Sequence, residues 1–427
     1  MSKILFLNRV FGPEAEATGA LLSELAEDLA CENEVSVICA RPRSDSGSIR
    51  PLMKRENYGA VKVVRTFAPN VPKQRGLLRY FDFLFYFVLA GCATLRERPD
   101  IIIAETDPPI LGALGAIIGF LWRRRFVFYC QDIYPEVGLA SGALKSRTMR
   151  LLVGLSNRLA YARADAVVVL AADMAGLLRR KGVSADKIVV APNWVDCGKV
   201  KPQAPRADLR EKYANKFVVM YAGNFGWTQN LESVLEAARF LRNDARLKFV
   251  LVGDGARRGR LEAEATASGL TNVDFIDRLD PSRMSEVLAV ADLHLIPLGA
   301  GVAGSMVPSK VYGILAAGKP FVAMMERHAE VARIAAEAEV GFVVAPGDAA
   351  ALARTIAHSM DNRALLEQMG RRARTLAERS YDRNLITRRF AELLDAVRSG
   401  QPGLARLDEV ASTPAPAIER VATMSAK

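Results

Sequence analysis

Apolar and polar positions along the chain fall into two alternating registers. Short runs rich in β-branched residues at 3–8, 34–40, 60–66, 101–104, 126–130, 166–170 and 187–191 read as buried strands. Stretches of helical period lie between them, the first at 18–30 through Leu21, Leu22, Leu25 and Leu29. Strands separated by helices mean βαβ units and a parallel sheet. The period lapses where Pro192, Pro202 and Pro205 fall in a polar, lysine-bearing stretch, which reads as a linker. It restarts with strands at 217–222, 248–252, 273–276, 293–297 and 320–324, alternating with helices at 230–241, 256–268, 281–290 and 309–316, then helices at 349–360 and 363–379. The expectation is an α/β chain of two facing Rossmann-like doubly wound domains, residues 1–195 and 196–380, with ligands in the cleft at the carboxyl ends of the strands. A last helix within 385–398 could cross back to the first domain. Residues 400–427 lack an apolar period and read as a disordered tail.

Composition narrows the chemistry. Five cysteines, an odd number with no C-x-x-C, and three histidines confined to the second half exclude a disulfide framework and a histidine-rich metal centre, and fit a reducing compartment. The longest uninterrupted apolar run, 110–122, falls short of the roughly 20 residues a spanning helix needs, and Arg79 and Asp82 interrupt 77–95. The apolar start is short and is followed by Glu14 and Glu16, so no secretory leader is expected and the location reads as cytoplasmic. The net charge of +11 is uneven: residues 1–40 hold two basic and seven acidic side chains, whereas 41–165 hold 20 basic and 10 acidic. The basic zone also contains the most apolar segments, which suggests an anionic membrane surface more than nucleic acid, or else a solvated basic face beside buried core helices.

Candidate chemistry gathers at strand-to-helix turns. Gly19, between the first strand and the first helix, sits either in a plain βα loop or where a glycine lets a ligand closely approach a helix N-terminus. Gly223-Asn224-Phe225-Gly226-Trp227-Thr228-Gln229-Asn230 offers backbone N–H groups as a cradle for diphosphate oxygens, or a plain capped turn. Gly253 and Gly255 follow a strand, but G-x-G-x-x-x-G is not the dinucleotide spacing, so they point to a close-approach loop beside a nucleotide. Ser309 reads as an N-cap. Lys310 in the first turn opposes the helix macrodipole unless lysine and helix end face a shared anion. Asp132, at the end of the strand 126–130, is placed either to handle an acceptor hydroxyl proton or to cap the following turn.

Taken together, the Gly19 loop, Gln131-Asp132-x-Tyr-Pro-Glu136, Pro192-Asn193-Trp194-Val195-Asp196, Gly223-Asn-x-Gly226, Gly253-Asp-Gly255, Ala291-Asp292-Leu-His294-Leu-Ile-Pro297 and Pro308-Ser309-Lys310-Val-Tyr-x-Ile-Leu-Ala-Ala-Gly318-Lys-Pro320 resemble the retaining GT-B glycosyltransferases of family 4. The likeness is to the bacterial fucosamine and colanic-acid-type branch and covers about residues 3–398. It implies a nucleotide-diphosphate sugar held mainly by the second lobe, with no metal or other cofactor, and an acceptor on the first lobe. The acceptor would be a polyprenyl-diphosphate-linked or other glycan, met by a protein peripherally attached to the anionic inner-membrane surface. By the same resemblance Arg278 and Leu279 lie along the nucleobase, Gly253 and Gly255 near the nucleotide, and Asn224, Gln229, Ser309 and Lys310 around the phosphates. Gly19 approaches from the opposite lobe, and Asp132 stands near the place of a first-lobe histidine common in the family. The family's second-lobe glutamate pair is matched here by Ser305 and Gly313, and its Arg and Lys after the second-lobe turn are replaced around Trp227 and Gln229. Two other readings stay open: a GT-B-type nucleotide-sugar epimerase, and a non-catalytic assembly partner derived from a transferase.

Overall fold

The computed structural model describes residues 1–12, 17–42, 51–68, 76–142, 144, 146–278, 280 and 283–400. The first lobe is built on β1 (Lys3–Leu7), α1 (Ala17–Leu29), β2 (Glu34–Ala40), β3 (Met53–Tyr58), β4 (Val61–Thr66), α2 (Gly76–Glu97), β5 (Ile101–Ala104), α3 (Leu111–Trp122), β6 (Arg125–Cys130), α4 (Glu136–Ala140), α5 (Arg147–Arg163), β7 (Ala166–Val169), α6 (Ala172–Arg180) and β8 (Ile188–Val190). Its eight strands are ordered β3-β4-β2-β1-β5-β6-β7-β8, all parallel except β3, which pairs antiparallel with β4. The inner strands are apolar along their whole length, as Ile101-Ile102-Ile103 illustrates, because helices cover both faces of a parallel sheet.

The second lobe comprises α7 (Ala207–Lys212), β9 (Phe217–Ala222), α8 (Glu232–Phe240), β10 (Leu247–Val252), α9 (Arg258–Ala267), β11 (Val273–Ile276), α10 (Met284–Ala289), β12 (Leu293–Pro297), α11 (Lys310–Ala316), β13 (Phe321–Met324), α12 (Glu330–Glu337), β14 (Gly341–Val344), α13 (Ala349–Asp361) and α14 (Arg363–Ser380). Its parallel sheet runs β11-β10-β9-β12-β13-β14. The order reverses at β9 and β12, so the turns after these two strands flank the crevice where such sheets bind ligands.

Four elements lie outside the sequence expectation: β3, α7, β14 and α12. The expected helix over 281–290 is described only from Met284, and the tail expected over 400–427 lies outside the described residues beyond Gly400, which caps α15 (Arg383–Ser399).

That helix returns from the second lobe to the first. Val195 N donates to Tyr381 O at 2.9 Å and Arg383 N to Val195 O at 3.0 Å. The Arg383 guanidinium reaches Asp28 on α1 at 2.6 Å, and the Phe390 ring packs 5.2 Å from that of Tyr129 on β6. One apolar core therefore runs from the first sheet through α11, α12, α14 and α15.

Candidate active site

The turn after β9 and the turn after β10 are zipped together backbone to backbone. Gly223 N donates to Val252 O at 2.9 Å, Phe225 N to Asp254 O at 2.8 Å, and Arg257 N to Phe225 O at 3.1 Å. A Cβ on Gly253, whose φ is +138°, would sit 2.0 Å from Gly223 O, and one on Gly255 would sit 2.6 Å from Asn224 Oδ1 and from Phe225 O. Both glycines are thus demanded by the neighbouring protein turn, a cause within the fold itself. Asn224 is exposed on this platform, and its Nδ2 converges with Gln229 Oε1 over Gly226. The Gln229 Oε1 atom is buried without a hydrogen bond. Thr228 O accepts from Gly299 N at 2.6 Å, which ties the turn to the 299–309 segment leading into α11.

Lys310, the first residue of α11, reaches back over this platform. Its Nζ lies 3.8 Å from the centroid of the Tyr221 ring and would be 2.8 Å from a Cβ on Gly223. The Tyr221 hydroxyl donates to Asn224 O at 2.6 Å, so one tyrosine supports both the lysine and the turn. Among the described residues no carboxylate pairs with Lys310, and desolvation lowers its pKa to about 7. A π face is a weak substitute for an anion, so the ammonium is left needing one. Ser309 occupies the N-cap position as expected from sequence, but its side chain makes no capping bond.

The first lobe meets this segment directly. Asp132 forms an antiparallel bridge with Met306, and Ile133 N donates to Ser305 O at 2.7 Å. Asp132 N is held by Thr106 Oγ1 at 3.3 Å. Burial, reinforced by the charge of Asp107, raises the Asp132 carboxyl to about 7. Beside it, Glu105 is 1% exposed, and both its oxygens lack a well-formed hydrogen bond. Burial and Asp107 raise it to about 8, which the facing Gln131 amide offsets only in part. Arg9 is the cation of this wall, 3.4 Å from Asp107 and 3.8 Å from Asp82. Of these four carboxyls only Asp107 and Asp82 pair with that guanidinium, so the desolvated Asp132 and Glu105 hold protons near neutral pH. A second tie between the lobes is Asp173 on α6, whose carboxylate accepts from Glu330 N at 3.1 Å.

Of the residues singled out from sequence, the fold gathers Asn224, Gln229, Gly253, Gly255, Ser309 and Lys310 on the second lobe and sets Asp132 against the loop preceding them. Gly19 lies inside the first turn of α1 and not in a loop; it is buried and its carbonyl accepts from Ser23 Oγ at 2.8 Å. Arg278 is exposed after β11, and Leu279 lies outside the described residues. Tyr221 and Glu105 were not assigned from sequence. The only local signal was a tyrosine, otherwise unremarkable in a strand, two residues before Gly223.

The chain is similar to known proteins. Residues 206–376 match the model for "Glycosyl transferases group 1" and residues 15–194 that for "Glycosyl transferase 4-like domain". WbjE of Pseudomonas aeruginosa, described as a glycosyltransferase, is 30% identical over 74% of this chain and 79% of its own. The chain belongs to the GT-B glycosyltransferases of family 4. WcaI of Escherichia coli, described as a colanic acid biosynthesis glycosyl transferase, is 29% identical to this transferase over 91% of this chain and 98% of its own. Among solved structures, the sucrose-phosphate synthase of Thermosynechococcus elongatus superposes with a TM-score of 0.74 at 17% identity, covering 94% of this chain and all of that one. Anabaena HepE in complex with UDP-glucose gives 0.71 at 19% identity, covering 93% of the transferase and all of HepE. These two likenesses concern the fold.

Proposed function

We propose that the transferase moves a sugar from a nucleotide-diphosphate donor to a glycan acceptor in surface-polysaccharide biosynthesis, with retention at the anomeric carbon. The observation that carries this reading is Lys310, a lysine without an anionic partner among the described residues, held over Tyr221 at the crevice where the Asp132 wall meets the second lobe. The donor diphosphate lies against Lys310 Nζ and the turn at Asn224, with Gln229, Ser309, Gly253 and Gly255 around it. The kinship with WbjE and WcaI and the UDP-glucose carried by HepE support a nucleotide sugar.

In this mechanism the acceptor hydroxyl oxygen attacks the anomeric carbon from the face of the departing diphosphate. The bond from that carbon to the β-phosphate oxygen breaks, and the hydroxyl proton passes to the leaving phosphate oxygen. Lys310 and backbone N–H groups balance the charge that develops on the diphosphate, a contribution that is large in a dry cleft. Asp132, ionised, orients the acceptor hydroxyl. The acceptor is a polyprenyl-diphosphate-linked glycan, and the protein works as a peripheral guest of the anionic inner-membrane surface.

The test is incubation with a panel of nucleotide sugars, with and without lipid-linked acceptor, measuring released nucleotide. Release that requires acceptor is expected. Conversion of the sugar alone would make the protein an epimerase, and neither reaction would leave it an assembly partner. Anomer analysis of the product by NMR decides retention.

A further inference from the structure

The helices on the outer side of the first lobe are apolar where they face solvent. On α2 the buried side carries Asp82, Tyr86 and Thr94, while Phe81, Leu84, Phe85, Val88 and Leu95 are exposed at helical spacing, Phe81 by 68%. A surface helix of a globular protein has the opposite arrangement. Helix α3 presses its glycines inward: a Cβ on Gly115 would lie 2.4 Å from the Phe126 ring, and one on Gly112 would lie 2.6 Å from that of Phe128. Its bulky residues Ile117, Phe120 and Leu121 are left outside. Helix α5 repeats the pattern with Leu151, Leu152, Leu155 and Leu159. These stripes adjoin, because α3 packs against both α2 and α5, and Ser156 Oγ on α5 donates to Ile110 O at 3.2 Å. A contiguous apolar face of this extent marks an interaction surface.

We infer that the outer face of α2, α3 and α5 docks on an anionic lipid bilayer and brings the Asp132 side of the cleft to a membrane-held acceptor. The first half stands independently of the transferase reading; the second half rests on it. Among the described residues no helix is long and apolar enough to cross a membrane, so the face lies in the plane of the interface. Its rim is basic. Arg123, Arg147, Arg158 and Arg163 are exposed and have no carboxylate partner among the described residues. The Arg163 guanidinium lies 4.1 Å from the centre of the Phe120 ring, an apolar anchor with a cation at its edge.

Charge decides the occupant. Two copies joined through this face would bring their arginine rims together, whereas anionic headgroups neutralise them. Helix α5 also ties the face to the site: its inner side carries the buried Asn157, whose Nδ2 donates to Tyr134 O at 3.1 Å, two residues past Asp132, and α4 beyond it exposes Leu139.

Vesicle co-sedimentation of the full chain tests this, with phosphatidylcholine alone or mixed with phosphatidylglycerol, at low and high salt. The wild type should pellet with the anionic vesicles and be released by salt. Leu151→Glu/Leu155→Glu and, on a separate helix, Phe81→Ser/Leu84→Ser should each weaken binding about tenfold or more. Phe240→Glu, an equally exposed site on the second lobe, should bind as the wild type. Circular dichroism checks that each variant is folded. Unchanged vesicle binding by both folded double variants, or equal binding to neutral and anionic vesicles, overturns the inference. So does a wild-type dimer that the leucine variant dissolves, because the occupant is then a second copy. With the inference right, the variants lose turnover of bilayer-held acceptor but keep that of a short soluble one. Vesicle binding without any turnover would sink the transferase reading and leave the docking face standing.

Discussion

Lys310 and Tyr221 come together as cation and ring, 3.8 Å from Nζ to centroid, although they belong to different strand-to-helix units. The adjacency of β9 and β12 in the sheet brings the two units together. Because desolvation alone lowers the lysine, its charge is costly in the free protein and is restored when an anion arrives. Lys310→Met should therefore leave the melting temperature unchanged or raised while lowering kcat/KM by about 100- to 1,000-fold, the scale for losing one group that stabilises developing charge. Thermal denaturation and steady-state kinetics with the preferred donor check both halves.

Activity should be bell-shaped in pH and peak near neutrality. Lys310 must be protonated, and with its pKa near 7 that form is lost as pH rises. Asp132 must be ionised, and with its carboxyl raised to about 7 by burial and then by the charge of Asp107, that form is lost as pH falls. In kcat/KM profiles Lys310→Arg should flatten the alkaline limb and Asp132→Asn the acid limb. The stability linkage of Asp132 has the opposite sense. A carboxyl raised on folding contributes stability that is full below its unfolded value near 4 and lost as pH rises through about 7.

Gly253→Ala should destabilise the second lobe by about 2–4 kcal/mol, because the added methyl would meet Gly223 O at 2.0 Å in a backbone region that side chains rarely adopt. Denaturant titration reads the loss. Donor KM should rise with it, since Gly223 belongs to the turn that carries Asn224.

Trp227 is 58% exposed in the turn between Asn224 and Gln229, with the Arg257 guanidinium 4.5 Å from its ring centre. Trp194 is buried, and Trp122 ends α3 on the other lobe. Saturable quenching of tryptophan fluorescence by a nucleoside diphosphate is expected in the wild type and should vanish in Trp227→Phe.

The buried sheets were legible because parallel strands covered on both faces are apolar runs that need no partner to be recognised. β3, with the sequence Met-Lys-Arg-Glu-Asn-Tyr, escaped because an edge strand half in water has no such run, and β14 because it too is a sheet edge, opening on Gly341 with its first three residues only half-buried. Asp82 read as an interruption in an apolar helix; it is the buried side of that helix, paired with Arg9, and the apolar side faces out. Gly19 read as lying between the first strand and the first helix, yet it belongs to the first turn of α1, where its carbonyl accepts from Ser23 Oγ. Lys310 was legible as a cation out of place at a helix start. Tyr221 beneath it and Met306 opposite Asp132 were not, because only the assembled sheets and the closed lobes create those pairs.

The central claim is that an anionic diphosphate is gripped by Lys310 and the Asn224 turn. Calorimetric titration with uridine, guanosine and thymidine diphosphates, in buffers of different ionisation enthalpy at pH above about 7, tests it most directly. The account predicts that the nucleotide that binds draws up to one proton from buffer, and that Lys310→Arg binds it without that uptake. Tight binding with no proton uptake, or uptake that survives Lys310→Arg, would contradict it.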